Sequence, residues 1–207
     1  MVVMAHAKAL DPMPVLSELS RRLQGRLQDL RAFMDTSVRD RGLAAHAFFF
    51  ARSLDELATL KLMESVAWSQ LEHHEQAFTA AHEAFSAVTD RASGHLQALV
   101  LTQCAATAAA RGDLRAAIRA ARRAEALIVA EVGEDTPQTL VVRAQLIALL
   151  RRYGEDAAAT QQRRQRTLDM LAAQPHLSRE RFERYATTFD GLRPPSWALC
   201  FCLRWRF

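Results

Sequence analysis

Cysteine and glycine are both scarce in this chain. Its three cysteines, Cys104, Cys200 and Cys202, are an odd count, and the last two are too close together to join easily. A disulfide framework is therefore not expected, and a reducing, cytoplasmic setting is. The glycines stand singly, at Gly25, Gly42, Gly94, Gly112, Gly133, Gly154 and Gly191, which leaves no glycine-rich loop to cradle a phosphate. No stretch approaches the ~20 apolar residues that a membrane helix needs. The start, Met1 to Lys8, lacks the basic segment and apolar run of a secretory signal. Sustained alternation of apolar and polar residues is missing before the last dozen positions, which argues against a sheet.

What is abundant points the other way. Half of the 207 residues are hydrophobic, enough for a sizeable core. Alanine, leucine, glutamate, glutamine and arginine dominate, and all favour helix. The expected class is all-α. The formal charge is +4, and the cations are almost entirely arginine, Lys8 and Lys61 being the only lysines. The densest basic stretch is 161–166, and Arg119, Arg122 and Arg123 form a smaller group. Neither is interleaved with aromatics and no zinc-finger or basic-zipper spacing occurs, so these read as solvated helix faces and nucleic acid is not the expected partner.

The first helix is expected over 15–33, where Leu16, Leu19, Leu23, Leu27, Leu30 and Phe33 form one stripe after Asp11-Pro12. A break at 35–37 leads to a second helix over 38–51, whose Phe48, Phe49 and Phe50 need cover. Ser53-Leu54-Asp55-Glu56 fits a capping box and predicts a new helix start. That helix runs to Leu71, followed by helices ending near Val88, over 95–111 and over 113–132. Gly133 through Leu140 is a junction, with Thr136 or Asp135 as cap and Pro137 in the first turn. Helices follow over 137–153, 155–173 and 178–189. The tail, 196–207, alternates Trp197, Leu199, Phe201, Leu203, Trp205 and Phe207 with other residues, and its composition shifts abruptly after Pro195.

Three points look like hairpin turns. Gly112-Asp113 precedes Ala117, Ala121 and Ala124; Glu72 precedes Ala77, Ala81 and Ala84; Gly154 precedes Ala159. Alanine at i, i+4 and i+7 lets a second helix nest closely on the first. The turns recur at roughly 40 residues, in the range of helical-repeat arrays. Over 54–173 these hairpins resemble tetratricopeptide repeats, and the stretch 133–173 resembles the longer repeats of kinesin light chains. Glu72 departs from the pattern where a turn glycine is usual, and Arg163 and Arg166 stand where small residues are usual. The resemblance implies a right-handed superhelical array of antiparallel hairpins over 53–192, a helical pair capping it over 1–52, and an atypical tail over 193–207. It also implies a concave groove lined by the first helix of each hairpin, here Val66, Gln70, Thr102, Gln103, Ala106, Ala110, Arg143, Gln145 and Ala148, for a partner peptide or helix. The alternative for each residue is packing against the next repeat. Some relatives clamp a terminal carboxylate with basic and asparagine residues; this chain has no asparagine, which disfavours that role.

Reactive chemistry finds little support. Glu72, His73, His74, Glu75 and His82 include metal-ligand types, but adjacent histidines on a helix diverge by ~100°, and a solvated turn is the expectation. Cys104 has no evident base, and Glu125, Glu131 and Asp169 read as solvated carboxylates. The expected function is a non-enzymatic protein-interaction module without metal or cofactor, with homodimerisation through poorly covered aromatics as a further expectation. The alternative is the sensory or dimerising region of a bacterial signalling protein, a diguanylate cyclase or transcription regulator, whose output domain is missing.

Overall fold

The structure, a computed structural model, describes residues 13–37, 43–88, 92–154 and 156–173. Among them are seven helices and no strand: α1 (Met13–Ser37), α2 (Leu43–Gln70), α3 (His74–Ala87), α4 (Gly94–Ala110), α5 (Leu114–Val132), α6 (Pro137–Tyr153) and α7 (Ala157–Ala172). The helix expected over 178–189 and the tail over 193–207 lie outside the described residues, as do the side chains of Phe48, Phe49 and Phe50. Each helix packs on its neighbours in sequence, and α2 also touches α4, and α4 touches α6. The first helices of successive hairpins therefore stand side by side.

The three expected turn points all separate helices. At the second, Gly112 has φ of 87°, Asp113 N–H donates to Ala108 O at 3.0 Å and Gly112 N–H to Ala109 O at 3.1 Å. This pair of bonds is the Schellman arrangement, which needs a left-handed residue just past the helix. The first turn repeats it forty residues earlier: His73 N–H donates to Trp68 O and Glu72 N–H to Ser69 O, with Glu72 at φ 63°. A side chain in that region costs about 1–2 kcal/mol, so Glu72 carries strain that Gly112 does not. The helix after the first turn, α3, has no side-chain cap at His73, whereas later helices do. Asp113 accepts from Ala116 N–H at 2.9 Å, Thr136 from Thr139 N–H at 3.3 Å and Asp156 from Ala159 N–H at 3.1 Å.

Two expected breaks fail. The break expected at 35–37 lies within α1, which runs unbroken to Ser37. The break at Ser53 lies within α2, which runs unbroken from Leu43 to Gln70 and so passes through the expected boundary at 52/53. Glu56 faces Arg52 at 3.4 Å, an i,i+4 pair. A capping box has meaning only where the backbone leaves the helix, and nothing near Ser53 makes it leave. Instead Ala58, Lys61, Leu62 and Ser65 continue one buried stripe along α2.

The alanine stripes after the first two turns are buried as expected, with Ala84, Ala117, Ala121 and Ala124 fully covered, whereas Ala159 after the third turn is exposed and Thr160 beside it is buried instead. Ala117, Ile118 and Ala121 of α5 meet Ala105, Ala108 and Ala109 of α4 and Leu146, Leu149 and Leu150 of α6 in one cluster. A second cluster joins Leu62, Ala84, Leu96, Leu99 and Val100 across α2, α3 and α4. A third holds α7 on α6 through Leu140, Ala144, Ile147, Leu168 and Met170. Small residues at these contacts bring helix axes close, and the flanking leucines and isoleucines supply the buried area.

Candidate functional site

The residues expected to line a groove on the first helices are mostly engaged within the array. Thr102, Gln103, Gln145 and Ala148 are buried; Val66, Ala106 and Arg143 are half-buried; Ala110 is exposed; the side chain of Gln70 lies outside the described set. Gln103 Nε2 donates to Ser65 Oγ and Ser69 Oγ, both at 3.0 Å, which ties α4 to α2. Gln145 Nε2 donates to Thr102 O at 2.9 Å and ties α6 to α4 in the same way. Thr102 Oγ1 turns back to Ala98 O at 2.7 Å. For these positions the packing alternative describes the geometry. A signal for it was present in the sequence: from Gly94 to Ala110 α4 carries no Asp, Glu, Lys or Arg, and a helix without a charged face is largely covered.

A charged node joins the last three helices. Glu125 of α5, expected on a solvated face, is buried; Arg143 Nε of α6 donates to its Oε1 at 2.7 Å, and Arg163 of α7 donates to its Oε2. Glu131 and Asp169 are exposed, as expected. Arg163, standing where a small residue was expected, reaches back across α5 instead of blocking the contact.

The open concavity lies elsewhere. A cavity of about 720 Å³ opens between α1 and α3 and is floored by α2. Leu27, Leu54, Leu57, Phe78 and Ala87 supply its apolar lining. Gln24 and Gln28 form one polar edge at i,i+4 on α1; Thr79, His82, Glu83 and Ser86 form the other at i, i+3, i+4 and i+7 on α3. Beneath that edge Lys61 Nζ meets Glu83 Oε2 at 2.7 Å and Glu64 Oε2 at 2.9 Å. Burial opposes the charge on Lys61, but the hydrogen bonds it donates to Glu83 and Glu64 outweigh that and hold the ammonium above its ordinary pKa. Phe78 is clamped from outside by Arg111, whose guanidinium sits 4.1 Å from the ring centre while its Nε donates to Glu75 at 3.1 Å. The periodic exposure of Thr79, His82, Glu83 and Ser86 was readable in the sequence, but the partner helix α1 facing them was not.

The remaining candidates resolve locally. His73 sets its ring against Trp68 at 5.2 Å, and His82 lies 6.0 Å from Phe78. Among the described residues no group of three histidine, cysteine or carboxylate side chains is placed to hold a metal ion. Cys104 Sγ lies 3.5 Å from Ala81 O, and desolvation by burial pushes its thiol up to about 12, well outside the range of a nucleophilic thiolate. No described helix is long and apolar enough to cross a membrane.

These features define an all-α protein whose helices pack in adjacent pairs, compatible with a helical repeat. No protein-family model matches the chain, and no curated protein matches it significantly.

Proposed function

We propose that the chain is a non-enzymatic interaction module of the tetratricopeptide type, a right-handed array of hairpins that receives an amphipathic helix of a protein partner. The receiving surface is the trough between α1 and α3, in place of the first-helix face. One observation carries this reading: an apolar floor of Leu27, Leu54, Leu57 and Phe78 runs between two polar edges built at helical spacing. A helix laid in such a groove buries its apolar stripe on the floor while its flanks meet the amides of Gln24 and Gln28 and the carboxylate of Glu83. The Lys61 pair and the Arg111 clamp hold Glu83 and Phe78 in place before the partner arrives, which lowers the ordering cost of binding.

The test is a photo-crosslinker placed at Thr79 or Gln28, with Gln161 on α7 as the control position, in extract of the native cell. One protein should crosslink at both trough positions and not at Gln161. Thr79→Trp/Ser86→Trp, which fills the trough from its exposed rim, should abolish that crosslink without lowering the melting temperature. Crosslinking that is equal at all three positions, or that survives the filled trough, refutes the assignment.

A further inference from the structure

The outer face of α5 is strongly basic. Arg115, Arg119, Arg122 and Arg123 are all exposed. At 100° per residue they fall within an arc of about 100°, and at 1.5 Å per residue they span about 12 Å. The two carboxylates of α5 lie off this arc: Glu125 turns inward to Arg143 and Arg163, and Glu131 lies near Gly94 on the opposite side. On α1 and α2, Arg21 and Arg22 pair with Glu18 and Arg52 with Glu56 as helical acidic neighbours. On α5 three pairs at i,i+3 or i,i+4 join arginine to arginine, 115 with 119, 119 with 122, and 119 with 123, while Arg122 also has Glu125 three residues on. Like charges so spaced work against the helix. A sequence that repeats a local conflict on one face marks that face as serving something other than stability. The patch continues onto α6, because Arg115 Nε donates to Tyr153 Oη at 3.2 Å beside the exposed Arg151 and Arg152.

We propose that this face binds the phosphate backbone of duplex nucleic acid without reading its bases. Guanidinium groups pair with phosphate oxygens in bidentate fashion. A duplex presents one phosphate per ~3.4 Å along each strand, so a stripe of about 12 Å can meet three to four phosphates. The other acidic surfaces fit less well. Between the arginines the arc offers only the alanine methyls of Ala126 and Ala130, so it has no aromatic or leucine wedge for a lipid surface and no central anchor for an acidic protein. Single strands are held by stacking on successive aromatic rings, and the α5 arc has none, Tyr153 of α6 being a single ring at its edge.

Fluorescence anisotropy of the full chain with a labelled 20-base-pair DNA duplex tests this. Three to four phosphate contacts predict affinity falling about 100-fold between 50 and 200 mM salt. Replacing Arg115, Arg119, Arg122 and Arg123 together by glutamine should weaken binding at least ~10-fold at low salt and flatten the salt dependence, while the four-lysine version, which keeps the charge, should retain most of the affinity. A charge-matched control with Arg21, Arg22, Arg26 and Arg52 changed to glutamine should bind nearly as the parent does. The proposal is overturned by absence of binding at 50 mM salt, by equal losses in the two glutamine variants, or by tighter binding to polyglutamate or to phosphatidylserine vesicles than to the duplex.

Discussion

Replacing Glu125 by glutamine isolates the charge at the α5–α6–α7 node while keeping the shape of the side chain. The two arginine partners will not respond alike. Arg163 keeps 42% of its side chain in solvent, so losing its counter-charge costs only about 0.5 kcal/mol. Arg143 keeps 12%, and Glu125 itself 11%, so that pair is essentially desolvated. Removing one member of a buried pair typically costs ~3–5 kcal/mol because the other is left uncompensated. The glutamine oxygen still accepts one hydrogen bond, which places the expected loss near the lower end, about 3 kcal/mol. In urea unfolding followed by circular dichroism, with a slope near ~2 kcal/mol/M, the midpoint should fall by about 1.5 M. Adding Arg143→Met removes the stranded cation, and the double variant should recover to within about 1 kcal/mol of the parent. A loss below ~1 kcal/mol for Glu125→Gln, or no recovery in the double variant, would refute the claim that a desolvated charge pair locks these helices together.

Three further outcomes follow from the same geometry. Glu72→Gly should raise stability by about 1 kcal/mol by relieving the left-handed strain, and Gly112→Ala should lower it by a similar amount; a thermal melt that moves in the opposite direction for either would contradict the turn geometry. Gln103→Leu should cost about 1–2 kcal/mol, because two serine hydroxyls lose their donor, whereas Gln145→Leu should stay within ~0.5 kcal/mol, since it also removes a buried Oε1 that has no partner; equal losses in chemical denaturation would show that the two amides are not energetically distinct. The folded state keeps the proton of Cys104 up to about 12, while an unfolded thiol releases it near ~8.5, so the folded state binds more protons between those values and stability falls as pH rises. Lys61, held above its ordinary value, adds to the loss on the same alkaline side. In a chain with Cys200→Ser and Cys202→Ser, a thiol reagent at pH 8 should label Cys104 at least ~100-fold faster in urea than in buffer; fast native labelling would place the thiol outside the array.

How much of this could be read beforehand depended on how far each signal travels along the chain. The turns were legible because a left-handed residue and a capping acid are written next to each other in Gly112-Asp113. At Glu72, where the glycine is missing, the stripe Ala77, Ala81 and Ala84 carried the same message. Ser53 misled for the converse reason: four residues can describe a cap, but whether the backbone leaves the helix is decided by the buried stripe through Ala58, Leu62 and Ser65, which runs on for several turns. Glu125 was misjudged because its partners lie 18 and 38 residues away. No local window can tell a solvated carboxylate from one waiting for two arginines. The trough was invisible for a similar reason. Its walls come from 24–28, 54–57 and 78–87, and only the pairing of α1 with α2 brings them together. Of the glutamines expected on the first-helix face, Gln103 donates to α2 and Gln145 to α4, across sequence separations that no local window spans.

The way successive hairpins are fastened has a mechanical consequence. Between the first and second, Gln103 grips α2 while Arg111 and Cys104 grip α3; between the second and third, Gln145 grips α4 while Arg143 and Arg163 grip α5. A joint fixed at two separated points resists rocking as well as sliding. The stack therefore bends as a single beam, and a load applied at one end is delivered to the other rather than absorbed at a loose link.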